Sequence, residues 1–242
     1  MKKIAIFVEG QSEQIFVRSL LQRALASYPV SFECLQLAGD RPSRARYSFA
    51  NPTAVAYFLI VSVGNDERVL SVVGERVQGL FQQGYSRVIA LRDMYSQAYD
   101  RRAGGRIDDE VTEAFVQGAL ATVAKMSQAE NIAAHFAIME LEAWLLAMEH
   151  LLCRAFPALT EELIDQELGC RLSDVDPQVC FYRPSAQLDR ILRRIGSQHD
   201  KSRDELERIC ACLTPDDIPT ATEHGRCRNL RIFYEAVRRC FE

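Results

Sequence analysis

Residues 3–14, Lys-Ile-Ala-Ile-Phe-Val-Glu-Gly-Gln-Ser-Glu-Gln, constrain the fold more than any other stretch of this chain. Residues 4–8 form an unbroken apolar run of strand length, the pattern of a central parallel strand covered on both faces. The run ends at Glu9-Gly10. A helical pattern begins at once, with Ser12 expected as its cap and Ile15, Phe16, Leu20, Leu21 and Ala24 on one apolar stripe. Glu9 thus stands at the tip of a buried strand and Glu13 in the first turn of the next helix. Folding alone requires no carboxylate at the end of a core strand; a divalent-metal site does.

The same alternation recurs down the chain. Residues 32–37 read as a second strand, and 57–63 as either a short strand or the start of a helix. Residues 65–83 read as a helix stopped by Gly84, and 87–91 as a strand running into Asp93. A helix is expected over 108–128, then a strand over 132–139 leading into a helix that starts at Glu140. Two polar loops carry arginine: 39–52 with Arg41, Arg44 and Arg46, and the stretch around Gly104-Gly105 with Arg101, Arg102 and Arg106. Strands alternating with helices imply an α/β fold with a mainly parallel sheet flanked by helices. Beyond residue 156 the chain turns to short helical pieces broken by Pro177, Pro184, Pro215 and Pro219. Two units are therefore expected, an α/β domain over 1–156 and a mostly helical extension over 157–242.

Composition narrows the function. At 48% hydrophobic and 26% charged residues, the 242-residue chain reads as a soluble globular protein. It has no run of roughly 20 apolar residues to span a bilayer, and the apolar stretch after Met1-Lys2-Lys3 is too short for a secretory signal, so a cytoplasmic protein is expected. The eight cysteines include no Cys-x-x-Cys and the four histidines are scattered, which disfavours structural zinc and favours reduced thiols. A net charge of -4 excludes a uniformly basic nucleic-acid glove. Yet lysine occurs only at positions 2, 3, 125 and 201, so the positive charge is mostly arginine, whose planar fork suits phosphate.

Three strand ends carry acid: Glu9 with Glu13, Asp93, and Glu140 with Glu142. In open parallel sheets, ligands collect outside the carboxyl ends of the strands. If these strands are neighbours the acids converge, repel and raise one another's pKa, a cost that a bound cation removes. Oxygen-only ligands favour one or two Mg²⁺ or Mn²⁺ ions, which polarise phosphoryl oxygens and activate water. The bland reading, a carboxylate stabilising a helix N-terminus, fits Glu13 and Glu142 more readily than Glu9. Arg41, Arg44, Arg92, Arg101, Arg102 and Arg106 are candidates to hold a phosphate backbone beside the metal, against solvated surface charge as the alternative. Tyr95 and Tyr99 suit base stacking or turn packing. Surface roles are expected for Tyr182, His199, Lys201, Arg226, Arg228 and Arg231, and a core role for Trp144.

Val8-Glu9-Gly10-Gln11-Ser12-Glu13 resembles the first motif of Toprim domains, the catalytic module of topoisomerases, primases and OLD-family nucleases. There a glutamate follows the first strand, and the nuclease-like branches add another four residues later. Leu91-Arg92-Asp93-Met94-Tyr95 supplies the first aspartate of the second Toprim motif, Asp-x-Asp, with tyrosine in place of the second. Residues 138–146, Ile-Met-Glu-Leu-Glu-Ala-Trp-Leu-Leu, are similar to a signature of RloB-like proteins and of a Toprim-like bacterial family, domain of unknown function 4276. The latter likeness covers residues 1–150 and, more loosely, the remainder, with Glu142, Trp144, Leu145 and Leu146 on the signature's core.

The resemblance implies a Toprim-like (Rossmann-like) fold and a metal-dependent nuclease that cuts DNA or RNA. It implies Glu9, Glu13 and Asp93 as catalytic residues and Glu9, Asp93, Glu140 and Glu142 as ligands of Mg²⁺ or Mn²⁺. It also implies a partner ATPase in an anti-phage defence system, and a homo-oligomer is compatible with the sequence. Tyr95 departs from the motif: either Glu140 or Glu142 substitutes for the missing aspartate, or the site holds a single ion. The alternative is a catalytically degenerate Toprim adaptor that binds nucleic acid or the ATPase.

Overall fold

The computed structural model describes residues 1–38, 41–44, 48–64 and 68–242. Six strands, β1 (Lys2–Val8), β2 (Val30–Ala38), β3 (Arg41–Arg44), β4 (Ala56–Ser62), β5 (Arg87–Asp93) and β6 (Ile132–Ala137), form one sheet in the order β3-β2-β4-β1-β5-β6. All pairings are parallel except that of β3 with β2. The fold is therefore α/β and Rossmann-like, and β1 lies buried at its centre as the apolar run requires. Val8 stands level with Ser62 and Leu91, and Leu91 with His135, so the carboxyl ends of β4, β1, β5 and β6 share one edge.

Period-two alternation gives each strand two apolar faces. On one face Ile4, Ile6, Val8, Phe58, Ile60, Ile89 and Leu91 pack beneath α1 (Gln11–Ser19), which continues as a π-helical turn over Leu20–Ala24. On the other, Ala5, Phe7, Val88 and Ala90 meet α2 (Val69–Gln82), α3 (Gln97–Ala103) and α4 (Asp109–Val123). After β6 come α5 (Leu141–Ala147), α6 (Glu149–Ala155), α7 (Glu161–Leu168), α8 (Pro177–Cys180), α9 (Pro184–Arg193), α10 (Arg203–Ala211), α11 (Asp217–Ala221) and α12 (Arg228–Arg238). Pro177 and Pro184 start helices, where the missing amide hydrogen costs nothing. These helices close over the α1 face: one apolar cluster runs from Ile4 through Trp144 and Leu188 to Phe233 and Cys240. Trp144 is fully buried, as expected. Its indole N–H donates to Gln178 at 2.6 Å, and its ring lies 5.6 Å from Phe233 and 5.8 Å from Phe16, tying α5 to α8, α12 and α1.

Several local expectations are corrected. Residues 41–44 form an edge strand rather than loop, because their backbone pairs antiparallel with β2 although Arg-Pro-Ser-Arg carries no apolar alternation. Arg101 and Arg102 lie in α3, not in a loop: the Ser96 hydroxyl caps that helix at the Tyr99 amide, and left-handed Gly104 ends it. The cap of α1 is Gly10 rather than Ser12; Glu13 reaches back to accept the Gly10 amide at 2.8 Å. Residues 57–63 resolve as strand β4. The helix expected over 65–83 begins at Val69, and residues 65–67 lie outside the described residues, as do Arg46 and the side chain of Arg44. Among the described residues no helix is long and apolar enough to cross a membrane. No disulfide joins the eight cysteines.

Candidate active site at the carboxyl edge of the sheet

β1, β5 and β6 are adjacent, so the acid-bearing strand ends stand side by side. The Asp93 amide donates to Glu9 Oε2 at 3.3 Å, and Asp93 Oδ1 accepts the Leu141 amide at 3.0 Å. One aspartate thereby links the tip of β1 to the start of α5. Between β6 and α5, Met139 adopts left-handed backbone (φ 42°), a conformation that disfavours a side chain by about 1–3 kcal/mol. The turn is secured because the Tyr95 amide donates to the Met139 carbonyl at 2.7 Å and the Met94 amide to that of Ala137 at 2.9 Å. It delivers Glu140 as the cap of α5 and Glu142 into that helix's first turn.

Glu13, Asp93 and Glu142 are buried, at 5%, 9% and 1% exposure. Burial raises the Asp93 pKa well above the usual carboxylate range, and the negative charges of Glu13, Glu142 and Glu9 raise it further. Burial likewise raises Glu13, with Glu142 adding repulsion. For Glu142 burial acts in the same direction, but His199 and Lys201 outweigh it and hold the pKa below its ordinary value. Asp93 and Glu142 thus occupy one electrostatic site with opposite shifts, a pattern that separates candidate proton acceptors from permanent anions.

The helical C-terminal part supplies the counter-charges. His199 lies between two carboxylates, with Nε2 3.0 Å from Glu142 and Nδ1 2.8 Å from Glu205, its side chain only 1% exposed. Burial disfavours its charge, yet the hydrogen bonds to Glu142 and Glu205 prevail and raise its pKa to about 9. As an imidazolium it donates from both ring nitrogens. Lys201, also left-handed (φ 54°), places Nζ 3.1 Å from Glu142 and 3.3 Å from Glu140. The Ser185 amide and hydroxyl donate to the two oxygens of Glu140 at 2.9 and 3.0 Å. Sequence reading expected surface roles for His199 and Lys201; both belong to the carboxylate cluster instead. The available signal was faint: a polar His-Asp-Lys-Ser run ahead of a capped helix, holding one of the few lysines.

The expected metal ligands Glu9, Asp93, Glu140 and Glu142 are thus brought together, with Glu13 beside them. Their oxygens are largely engaged with amides, Ser185, His199 and Lys201. Among the described residues, no group of three or more His, Cys, Asp or Glu is arranged to hold a metal ion as it stands.

The expected phosphate-binding arginines are spread over β3, β5, α3 and the turn after it. Arg92 follows the strand alternation away from Asp93 and lies 5.6 Å over Phe136, in the cluster on the α2 face. Arg41 is on β3, three strands from β1, about 15 Å away at ordinary strand spacing. Arg101 and Arg102 end α3, with Arg102 5.3 Å over Phe115, while Arg106 pairs with Asp108 at 3.4 Å. Tyr99 is core, its hydroxyl bonded to Asp108 and Thr112. Arg226 donates to the carbonyls of Leu172 and Val175. A separate polar cavity of about 520 Å³ between α6 and α11 shares no residue with the acid cluster.

No curated protein and no solved structure matches the chain. One family model, described as Domain of unknown function (DUF4276), matches residues 8–205. That span runs from the last residue of β1 to Glu205 and takes in every member of the carboxylate, histidine and lysine cluster. The chain belongs to the DUF4276 family.

Proposed function

We propose that this edge binds Mg²⁺ or Mn²⁺ and hydrolyses phosphodiester bonds of nucleic acid, as a Toprim-like nuclease. The observation that carries the reading is the crowding of buried carboxylates from three distant segments around Glu142, whose Oε2 is buried with no hydrogen-bond partner among the described residues. Such an arrangement is costly in isolation. A hard divalent cation fits it, because it would satisfy the orphan oxygen and cancel the repulsion that raises Asp93. When bound, such an ion polarises a phosphoryl oxygen and lowers the pKa of water.

The chain's own groups would divide the remaining work. Glu9, Asp93 and Glu142, with Glu140 beside them, would hold the ion. Glu13, with its raised proton affinity, is suited to take a proton from an attacking water. Lys201 would place positive charge next to the phosphate. The motif resemblance carried by Glu9, Glu13, Glu142 and Trp144 supports an anti-phage role with a partner ATPase, and the short apolar run after Lys3 supports a cytoplasmic location. A second reading, the non-catalytic adaptor, is favoured by Tyr95 at the position of the motif's second aspartate and by the ammonium already seated on Glu142 and Glu140.

Cleavage of labelled DNA and RNA, with Mg²⁺ or Mn²⁺ and with chelator, separates the two. The wild-type protein is expected to cut only with divalent metal, and Glu9→Gln to lose at least about a hundredfold in rate, an effect of the size that removal of one electrostatic catalytic group produces. Its circular dichroism should be unchanged, because glutamine still accepts the Asp93 amide. Undiminished cleavage by Glu9→Gln, or cleavage that survives chelation, would refute the nuclease reading.

A further inference from the structure

Tyr95, Tyr182 and Arg183 meet at the rim of the carboxylate cluster, on segments already bonded to it. Tyr95 lies two residues beyond Asp93, and its amide is fixed to the carbonyl preceding Glu140. Arg183 lies two residues before Ser185, which holds both oxygens of Glu140. The two rings pack edge-on, with centroids 5.7 Å apart at 71°. The Tyr182 hydroxyl donates to Asp100, bracing that ring on α3. Arg183 sits 5.9 Å from the Tyr95 centroid with Nη2 3.5 Å from its hydroxyl.

Arg183 differs from its neighbours in one respect. Arg190, Arg193, Arg194 and Arg203 are each paired with a carboxylate, whereas Arg183 is exposed and makes no ion pair among the described residues. Its guanidinium is docked on a tyrosine and leaves donors available to an anion. Both tyrosines are half-buried and in contact with one another. A cation with unused donors beside an aromatic surface is what a polynucleotide strand requires, with phosphate on the one and a base face on the other. Base faces are hidden in a duplex.

We propose that Arg183 holds a backbone phosphate and Tyr95 stacks an unpaired base, so that the site takes a single-stranded polynucleotide, with Tyr182 bracing the platform. This rests on the reading of the adjacent acids as a phosphodiester-cleaving centre and adds the substrate class to it.

The test is fluorescence anisotropy of the full chain with a labelled oligothymidylate and a blunt duplex of equal length, over a salt series in chelator. The single strand is expected to bind more tightly than the duplex. Arg183→Ala should weaken single-strand binding about tenfold and reduce the slope of log K against log salt by about 0.7, as for one lost phosphate contact. Tyr95→Ala should weaken it about five- to tenfold with the slope unchanged, because stacking releases no counterions. Unchanged melting temperatures would exclude misfolding, and Tyr95→Phe should restore binding. Equal binding of duplex and single strand, or variants that bind like the wild type, would overturn the proposal. Because binding is read without metal, selective loss in the variants combined with no cleavage by the wild type would defeat the nuclease reading alone.

Discussion

Glu142→Ala is expected to abolish divalent-dependent cleavage and also to destabilise the metal-free protein by about 3 kcal/mol. Glu142 is the shared anion of the cluster: His199 and Lys201 both contact its Oε1, at 3.0 and 3.1 Å. Removing one member of a buried charge pair typically costs about 3–5 kcal/mol, because the remaining charge loses its partner without regaining water. Here the low end applies. His199 keeps Glu205 and Lys201 keeps Glu140, and the repulsion on Asp93 is relieved. Glu142→Gln keeps the shape and an acceptor for His199, so it should lose the same activity with a smaller stability loss. Urea unfolding and cleavage assays on the two variants check both parts. A Glu142→Ala protein that cleaves normally would remove Glu142 from the site.

The second large effect is on pH. The metal-free protein should lose roughly 3 kcal/mol of stability as pH rises from about 6.5 to about 9. His199 titrates near 6.5 when unfolded and near 9 in the fold, and each unit of difference is worth about 1.4 kcal/mol. A raised pKa means that the folded state binds the proton more tightly. The stabilisation is therefore complete below the unfolded value and is lost as pH climbs through the folded one. Solvent screens this interaction little, since the side chain is 1% exposed. Asp93, also raised, acts in the same direction, its contribution fading as pH rises through its elevated pKa. Glu142 opposes both: its pKa is depressed, so its contribution is lost on acidification below about 4.5. Denaturant midpoints across this range should fall for the wild type and fall distinctly less for His199→Gln. A wild-type midpoint that held steady or rose between these values would contradict a charged His199 between its two carboxylates.

The sheet was legible because its central strands are almost wholly apolar and end in acid. Residues 4–8 and 87–91 could be little else, and adjacency of β1, β5 and β6 then brought Glu9, Asp93 and Glu140 to one edge. β3 was not legible, since a four-residue edge strand held by its neighbour's backbone needs no side-chain pattern. His199 was missed for a different reason. It meets Glu142 across 57 residues of chain, and only the packing of α9 against α5 and of α10 against α1 and α6 makes the pair. Arginine was the least informative signal. Arg92 and Arg183 are alike in sequence, but strand alternation sends the first to the far face, while the turn before α9 sets the second beside Tyr95.

Titration of the metal-free protein with Mn²⁺, followed by calorimetry or by the loss of free-ion electron paramagnetic resonance signal, tests most directly whether these distant carboxylates share an ion. The expected result is saturable binding that Mg²⁺ competes away and that Glu9→Gln and Glu142→Gln each abolish, although the two residues come from different segments. Absence of saturable binding, or equal binding by wild type and both variants, would contradict it.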